Sequence, residues 1–339
     1  MKILLDTIDL KIIEKFSKTG LLYGVTTNPT LAKRFGMSDD IDMVKKIRRV
    51  MPSGEIHVEA FGKNPQEIVD NAKRIARYTK DKNLVFKVPF NLAGVQAVWT
   101  LKSDLGYKTN LHLIFSANQA LVSSCVESDY ICPLVGRLDD VGHDAFENLD
   151  NIITSFRKSG HNKTKVMVSS VRHTQHVQKA FAVGADVVTI PPAVLEKMFN
   201  HPLTDSGYAA FEDDIKMMQC IHLEDVDSEC VVEPTKKLKD CLDYMTENKK
   251  VAIVTSHSGK NGIYTLGDFK RFLVKCNFDL SEHLDKPISD FANFNTVELS
   301  MKETYGDARK LFKQNGISHL LATKSGKPIG LILREKISE

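Results

Sequence analysis

Short apolar, β-branched runs recur at fairly even intervals through the first 200 residues. They are K-I-L-L-D-T (2–7), L-L-Y-G-V-T-T-N (21–28), E-I-H-V-E-A-F (55–61) and L-V-F-K-V-P (84–89), followed by T-N-L-H-L-I-F (109–115), Y-I-C-P-L-V-G-R (130–137), K-V-M-V-S-S-V-R (165–172) and D-V-V-T-I-P-P (186–192). Runs of this length and composition predict buried strands. Helical patterns lie between them. In N-P-Q-E-I-V-D-N-A-K-R-I-A-R-Y, Asn64 can cap, Pro65 suits the first helical position and Glu67 sits three residues after the cap. Ile68, Ala72, Ile75 and Ala76 then share one apolar face. In H-T-Q-H-V-Q-K-A-F-A-V-G-A, Thr174 is the expected cap, Val177, Ala180 and Phe181 point inward, and Gly184 is the stop.

Eight strands alternating with helices predict an α/β architecture closed into a (β/α)8 TIM barrel over residues 1–218. The open doubly wound sheet is the competitor, but its G-x-G-x-x-G turn after the first strand is missing. Past residue 220 the texture changes. The acidic stretch H-L-E-D-V-D-S-E falls in an expected linker, 219–230, and an internal repeat follows over 231–339. V-A-I-V-T-S-H-S-G-K-N-G-I-Y (251–264) resembles H-L-L-A-T-K-S-G-K-P-I-G-L-I (319–332), and each copy is preceded by an amphipathic helix. The repeat predicts a smaller α+β tandem module with copies at 231–278 and 284–339, each built on a hairpin with an S-G-K turn.

Composition excludes more than it adds. Hydrophobic residues make up 42% and charged residues 26%, as in an ordinary soluble protein, and a net charge of +3 with mixed signs argues against a nucleic-acid or membrane surface. No apolar run is long enough to span a bilayer, and M-K-I-L-L-D-T meets an acid too soon for a signal peptide. The six cysteines are scattered without a C-x-x-C pair, which fits reduced thiols and a cytoplasmic location.

Candidate chemistry comes from the strand ends, because a (β/α)8 barrel gathers its site at the C-terminal face. The first run ends with Asp6 and the second with Thr26, Thr27 and Asn28. The third carries Glu59, the fourth Lys87, the fifth Asn110 and His112. The sixth ends with Arg137, and the seventh gives Ser170 and Arg172. Lys87 in a buried strand either snorkels its charged head to water or has its amine used. A lysine among two acids is what imine chemistry needs, with burial expected to depress its pKa and leave a neutral amine, and a carboxylate at hand to move protons. Arg137, Ser170 and Arg172 read as an anion clamp at the barrel's habitual phosphate position.

L-D-T (5–7), G-V-T-T-N-P-T (24–30), F-K-V-P (86–89), T-N-L-H-L-I-F-S-A-N-Q-A (109–120), V-G-R-L-D-D (135–140), V-S-S-V-R (168–172) and H-P-L-T-D-S-G (201–207) resemble the transaldolase family, in particular its short microbial members and their fructose 6-phosphate aldolase relatives. The resemblance implies a Schiff-base enzyme acting on sugar phosphates, with no cofactor and no metal, because a protonated imine is itself the electron sink. It implies that Lys87 attacks the ketone of a ketose phosphate, Asp6 takes the hydroxyl proton as the aldol bond cleaves, and Glu59 positions the water that shuttles protons. Thr27, Asn28 and Asn110 would bind the donor fragment, and Arg137, Ser170 and Arg172 the phosphate. Glu59 favours three-carbon transfer, since the aldolase branch carries Gln there. Two positions depart from the pattern: His112, with a side chain that can titrate near neutrality, stands where the family has Thr, and Cys132 stands where transaldolases often have Ser. His112 either replaces the Thr hydroxyl in catalysis, reshapes the acceptor pocket or signals a changed or reduced activity, the alternative reading being a catalytically impaired barrel that serves nucleotide sensing or assembly.

The C-terminal repeat resembles a pair of CBS (cystathionine-β-synthase) domains, through G-I-Y-T-L-G-D-F-K-R (262–271). That resemblance implies Thr265 and Asp268 as contacts for an adenine or sugar nucleotide effector, with a pair used only for dimerisation as the equal alternative. The second copy has Leu333 and Lys336 at the matching positions. A homo-oligomer is the expected assembly.

Overall fold

The structure is a computed structural model describing residues 1–160 and 163–337, so the last two positions of the second repeat copy lie outside the described residues. The chain divides into two compact units, Met1–His201 and Pro202–Glu339.

The first unit is a closed barrel in which eight parallel strands follow one another in chain order. They are β1 (Lys2–Asp6), β2 (Leu22–Thr26), β3 (Glu55–Glu59), β4 (Leu84–Pro89), β5 (Lys108–Ile114), β6 (Tyr130–Pro133), β7 (Lys165–Val168) and β8 (Val187–Ile190). Side chains alternate across each strand. On β3, Ile56 and Val58 join the large core between sheet and helices, and Glu55, His57 and Glu59 take the opposite face. Leu4, Val85, Tyr130, Cys132, Met167 and Val187 form a separate small cluster drawn from five strands, which fills the barrel's interior. The helix Pro65–Thr79 starts as its sequence predicts, with Asn64 accepting from the Glu67 amide, and it buries Ile68, Val69, Ala72 and Ile75. Each large side chain of that face stabilises the fold by about 1.5–3 kcal/mol.

Several local expectations fail. The sixth run stops as a strand at Pro133, and Val135–Asp140 is a helix, so Arg137 sits on that helix and not at a strand end. The seventh strand ends at Val168, and Ser170 follows in left-handed backbone with φ of 59°. Gly136 explains how the two loops meet: a Cβ there would lie 2.1 Å from the Ser170 carbonyl oxygen and 2.7 Å from Arg172 Nε. His173, not Thr174, is the N-cap of the helix Thr174–Ala182, and Phe181 is 68% exposed because His176, Val177 and Ala180 occupy the buried face.

The second unit holds a two-stranded hairpin and a four-stranded sheet. The strands are β9 (Val226–Asp227), β10 (Ala252–His257), β11 (Lys260–Thr265), β12 (Glu298–Ser300), β13 (His319–Lys324) and β14 (Lys327–Leu333). β10–β11 and β13–β14 are the repeated hairpins, and both turn through a Ser-Gly pair with positive φ, Ser258 and Gly259 at 50° and 75°, Ser325 and Gly326 at 54° and 76°. Two left-handed residues are what a tight hairpin turn demands. The stretch read as a linker is structured: Ile221, Val226 and Cys230 are buried, and β9 pairs with β14. Gly330 makes room for it, since a Cβ there would lie 2.3 Å from the Asp227 carbonyl oxygen. The helix Pro202–Met218, expected at the end of the barrel, belongs to this unit and is held by a two-pronged ion pair from Arg309 to Asp213 at 2.8 and 3.1 Å.

Candidate active site

Parallel register places three of the expected residues side by side. Glu59 on β3 lies opposite Lys87 on β4, and Lys87 lies opposite Asn110 on β5. One strand further, a bulge at Leu113 (φ 61°) breaks the β5–β6 register just after His112. Bulges re-aim neighbouring side chains, and this one directly follows His112. Lys87 is only 7% exposed. Its ammonium donates to the Thr27 carbonyl oxygen at 2.7 Å and lies 3.2 Å from Glu59 Oε2. His112 Nε2 lies 2.5 Å from Glu59 Oε1. Glu59 Oε2, His112 Nε2 and Asn110 Oδ1 are buried without a well-angled hydrogen bond among the described residues. Buried polar atoms are rarely left so, and three in one place mark a site built to meet something else.

Asp6 completes the group from β1. Its Oδ1 accepts from Thr26 Oγ1 at 2.9 Å and from Asn28 Nδ2 at 3.4 Å. Asn28 also caps the helix Pro29–Arg34 through Leu31 N at 2.9 Å, which fixes its amide. Thr27 contributes its backbone oxygen to Lys87, while its hydroxyl bonds to the His57 carbonyl.

The electrostatics correct one expectation. Burial does push Lys87 toward the neutral amine, but the charges of Glu59 and Asp6 outweigh it, and the net direction is upward. At rest the group is an ammonium ion. Glu59 is opposed by burial yet held below its ordinary range by Lys87 and His112. Asp6 goes the other way, because burial raises it by more than Lys87, Thr26 and Asn28 lower it. His112 is pushed below its ordinary value, first by burial and further by Lys87 and Arg137, so it stays a neutral imidazole at neutral pH. Cys132 is buried beside Lys87, and desolvation lifts its thiol to about 11.

The anion clamp is assembled in part. Arg137 and Arg172 line one open cavity of about 520 Å3 with Phe115, Leu138, Asp140, Val141 and His143. Ser170 is not among its walls, and Arg172 is engaged by Asp140 at 2.8 Å. A second cavity of about 670 Å3 opens beside Glu59, Thr27 and Asn28, with Ala32, Met37 and Met43 as apolar walls.

Sequence reasoning missed a string of buried polar side chains on the same strands. Asn110 Nδ2 lies 3.2 Å from His57 Nδ1, His57 Nε2 lies 3.2 Å from Glu55 Oε2, and the Tyr130 hydroxyl donates to that oxygen at 2.8 Å. The signal was present: E-I-H-V-E puts a titratable group at every second position, and those three share one face.

In the second unit Thr265 and Asp268 are spent on each other. Asp268 N donates to Thr265 Oγ1 at 3.1 Å, and the Thr265 amide and hydroxyl donate to Asp268 Oδ2 at 2.8 and 2.6 Å. This is a capping box on the helix Leu266–Lys275, and Thr304 with Asp307 builds the same box on Tyr305–Asn315. Leu333 ends β14, and Lys336 lies in the short helix Arg334–Ile337.

Comparison with known proteins decides the family. The sequence profile described as Transaldolase/Fructose-6-phosphate aldolase matches residues 3–249. The chain belongs to this family. Similar proteins named "Probable transaldolase" include those of Dehalococcoides mccartyi, 38% identical over 219 residues (65% of this chain, 100% of the relative), and Nitrosopumilus maritimus, 41% identical over 214 residues (63% and 94%). That of Methanococcus maripaludis strain C5 is 42% identical over 211 residues (62% and 95%). The chain is thus an enzyme of the transaldolase family. The solved structures it resembles include the CBS domain of a membrane protein from Sphaerobacter thermophilus, 14% identical over 40% of this chain and 96% of that one with a TM-score of 0.34, and CBSX2 in complex with AMP, 18% identical over 37% and 91% with a TM-score of 0.28. At scores this low nothing about ligands follows. Among the described residues no helix is long and apolar enough to cross a membrane.

Proposed function

We propose that the enzyme transfers a three-carbon dihydroxyacetone unit from a ketose phosphate to an aldose phosphate through a Schiff base on Lys87. The observation that carries this reading is the buried ammonium of Lys87 at 3.2 Å from Glu59, in the electrostatic field of a second carboxylate, Asp6, whose pKa is raised. An ammonium cannot attack a carbonyl, so Lys87 first gives a proton to Glu59, and the neutral amine adds to C2 of the ketose. Loss of hydroxide as water, with the proton returned from Glu59, leaves the protonated imine. Asp6 then takes the C4 hydroxyl proton as the C3–C4 bond breaks. The electron pair moves into the imine to give an enamine, and the aldose phosphate departs. An incoming aldehyde reverses these steps. A carboxylate with a raised pKa is suited to carry that proton near neutral pH.

His112 takes the place of a hydroxyl. As a neutral imidazole it sits with Nε2 2.5 Å from Glu59 Oε1 and helps keep that carboxylate ionised. The family's Thr offers a shorter donor, so His112 also narrows the acceptor side of the site. Arg137 and Arg172 receive the phosphate, with Asp140 yielding Arg172 to it, and Ser170 adds its hydroxyl. Asn28 and Asn110 hold donor hydroxyls.

The test is to measure product from fructose 6-phosphate with and without erythrose 4-phosphate. Transfer predicts a seven-carbon ketose phosphate only when both are present. Free dihydroxyacetone released at a comparable rate without an acceptor would make the enzyme a lyase of the aldolase branch.

We extend the proposal to the C-terminal module as a CBS-type pair that takes an adenine nucleotide at Thr265 and Asp268. The T-x-x-D motif supports this, while the same capping box at Thr304 and Asp307 speaks for a purely structural module. A rise in Tm with AMP that is lost in Asp268→Ala supports binding. No shift with any adenine or sugar nucleotide assigns the module to structure alone.

A further inference from the structure

Beneath Lys87 the barrel encloses the polar string Tyr130–Glu55–His57–Asn110. All four side chains are buried, and His57 and Asn110 have no exposure at all. Such a string costs free energy to bury unless every group is paired. Only one atom in it is not: Asn110 Oδ1.

The direction of each hydrogen bond can be worked out from one end. Glu55 accepts from Lys108 Nζ at 2.8 Å on Oε1 and from the Tyr130 hydroxyl at 2.8 Å on Oε2. Burial opposes its ionisation, but His57, Lys108 and Tyr130 outweigh that and hold its carboxyl down at about 2. An ionised carboxylate only accepts. The His57 nitrogen facing it, Nε2 at 3.2 Å, therefore carries the ring proton. Burial keeps the ring neutral, so Nδ1 presents a lone pair. Asn110 must turn its NH2 to that lone pair, at 3.2 Å. Its oxygen then faces the other way. His57 precedes Glu59 by two residues on the same face of β3, one pleat nearer the strand's start. Asn110 itself is the direct ladder neighbour of Lys87, which in turn lies opposite Glu59.

We propose that His57, oriented by Glu55, is a positioning residue that locks the Asn110 amide with its oxygen toward the imine carbon, so that the site selects donors bearing a hydroxyl next to that carbon. This rests on the Schiff-base reading of Lys87. A hydroxyl donates to the fixed oxygen and satisfies the orphaned acceptor. A deoxy donor leaves it buried and unpaired. With an apolar residue at 57 the amide is free to turn, and the discrimination fades.

Two measurements on the full chain test the lock. The first is 15N NMR of the imidazole nitrogens, with the His57 signals assigned by their loss in His57→Gln. A proton on Nε2 and none on Nδ1 through the neutral range supports the lock, and a proton on Nδ1 overturns it. This arm is independent of any turnover. The second compares kcat/KM for fructose 6-phosphate with that for its 1-deoxy and 3-deoxy analogues. A site built around a hydroxyl should reject at least one analogue by about 100-fold or more. His57→Phe should bring that ratio below about 10, whereas His57→Gln, which can accept from Asn110 and donate to Glu55, should keep it near the wild-type value. Unchanged discrimination in a folded His57→Phe overturns the proposal. If the wild-type chain turns over no ketose phosphate, the functional reading fails, and the tautomer alone decides the lock.

Discussion

The interior of the barrel and the C-terminal repeats treat their charged groups in opposite ways. In the barrel, Lys87, Glu59 and Asp6 arrive from three strands, are buried against one another and have their pKa values displaced. In the repeats, Thr265 with Asp268 and Thr304 with Asp307 close on themselves within one turn of helix. The first arrangement costs stability and leaves polar atoms unsatisfied. The second stabilises a helix start.

The sharpest way to break this contrast is Lys87→Met. If the lysine is the nucleophile, turnover falls by about a million-fold, the scale seen when a covalent nucleophile is removed. Survival of more than a few per cent of the rate in an initial-rate assay would move the chemistry elsewhere. Asp6→Asn comes next, with kcat reduced by about 1,000-fold. It should also raise Tm at pH 7. Because folding raises the Asp6 pKa, the ionised carboxylate is a burden at neutral pH. That burden disappears as pH falls through the ordinary carboxylate range, and with it the advantage of Asn. A Tm that drops at pH 7 would show Asp6 to be a structural partner instead. For Glu59→Gln we expect about 100-fold in kcat, together with a fall in the Lys87 pKa, readable as an acid shift in its rate of modification by an aldehyde. The smallest effects belong to the repeats. Thr265→Ala and Thr304→Ala should each cost about 1 kcal/mol in denaturant unfolding and leave turnover untouched. A change in turnover for Thr265→Ala alone would make the two boxes unlike.

The same contrast explains what could be read from the sequence. The eight runs, the Asn64–Pro65–Glu67 helix start and the two Ser-Gly turns are local signals, and each was legible because a few adjacent residues decide it. The family motifs carried Asp6, Glu59, Lys87, Asn110 and His112 to the strands on which they lie. Arg137 was misplaced because V-G-R-L is as apolar as a strand, and only the close packing of Gly136 on Ser170 shows that the chain has already turned into a helix. The linker was misjudged because a two-residue strand becomes visible only beside its partner β14 and the gap left by Gly330. The Lys87 pKa was predicted in the wrong direction from burial alone. Its sign depends on Glu59, twenty-eight positions earlier in sequence but opposite it in the ladder. His57 escaped for a related reason, since its meaning lies in Glu55 below and Asn110 across the barrel.

The central claim is that Lys87 is the group that bonds to the sugar. Incubation with fructose 6-phosphate followed by borohydride reduction and peptide mapping tests it directly. The account predicts a three-carbon adduct on the peptide that contains Lys87, together with loss of activity in proportion to labelling. A protein that stays unlabelled and active after reduction, or an adduct confined to another lysine, would contradict it.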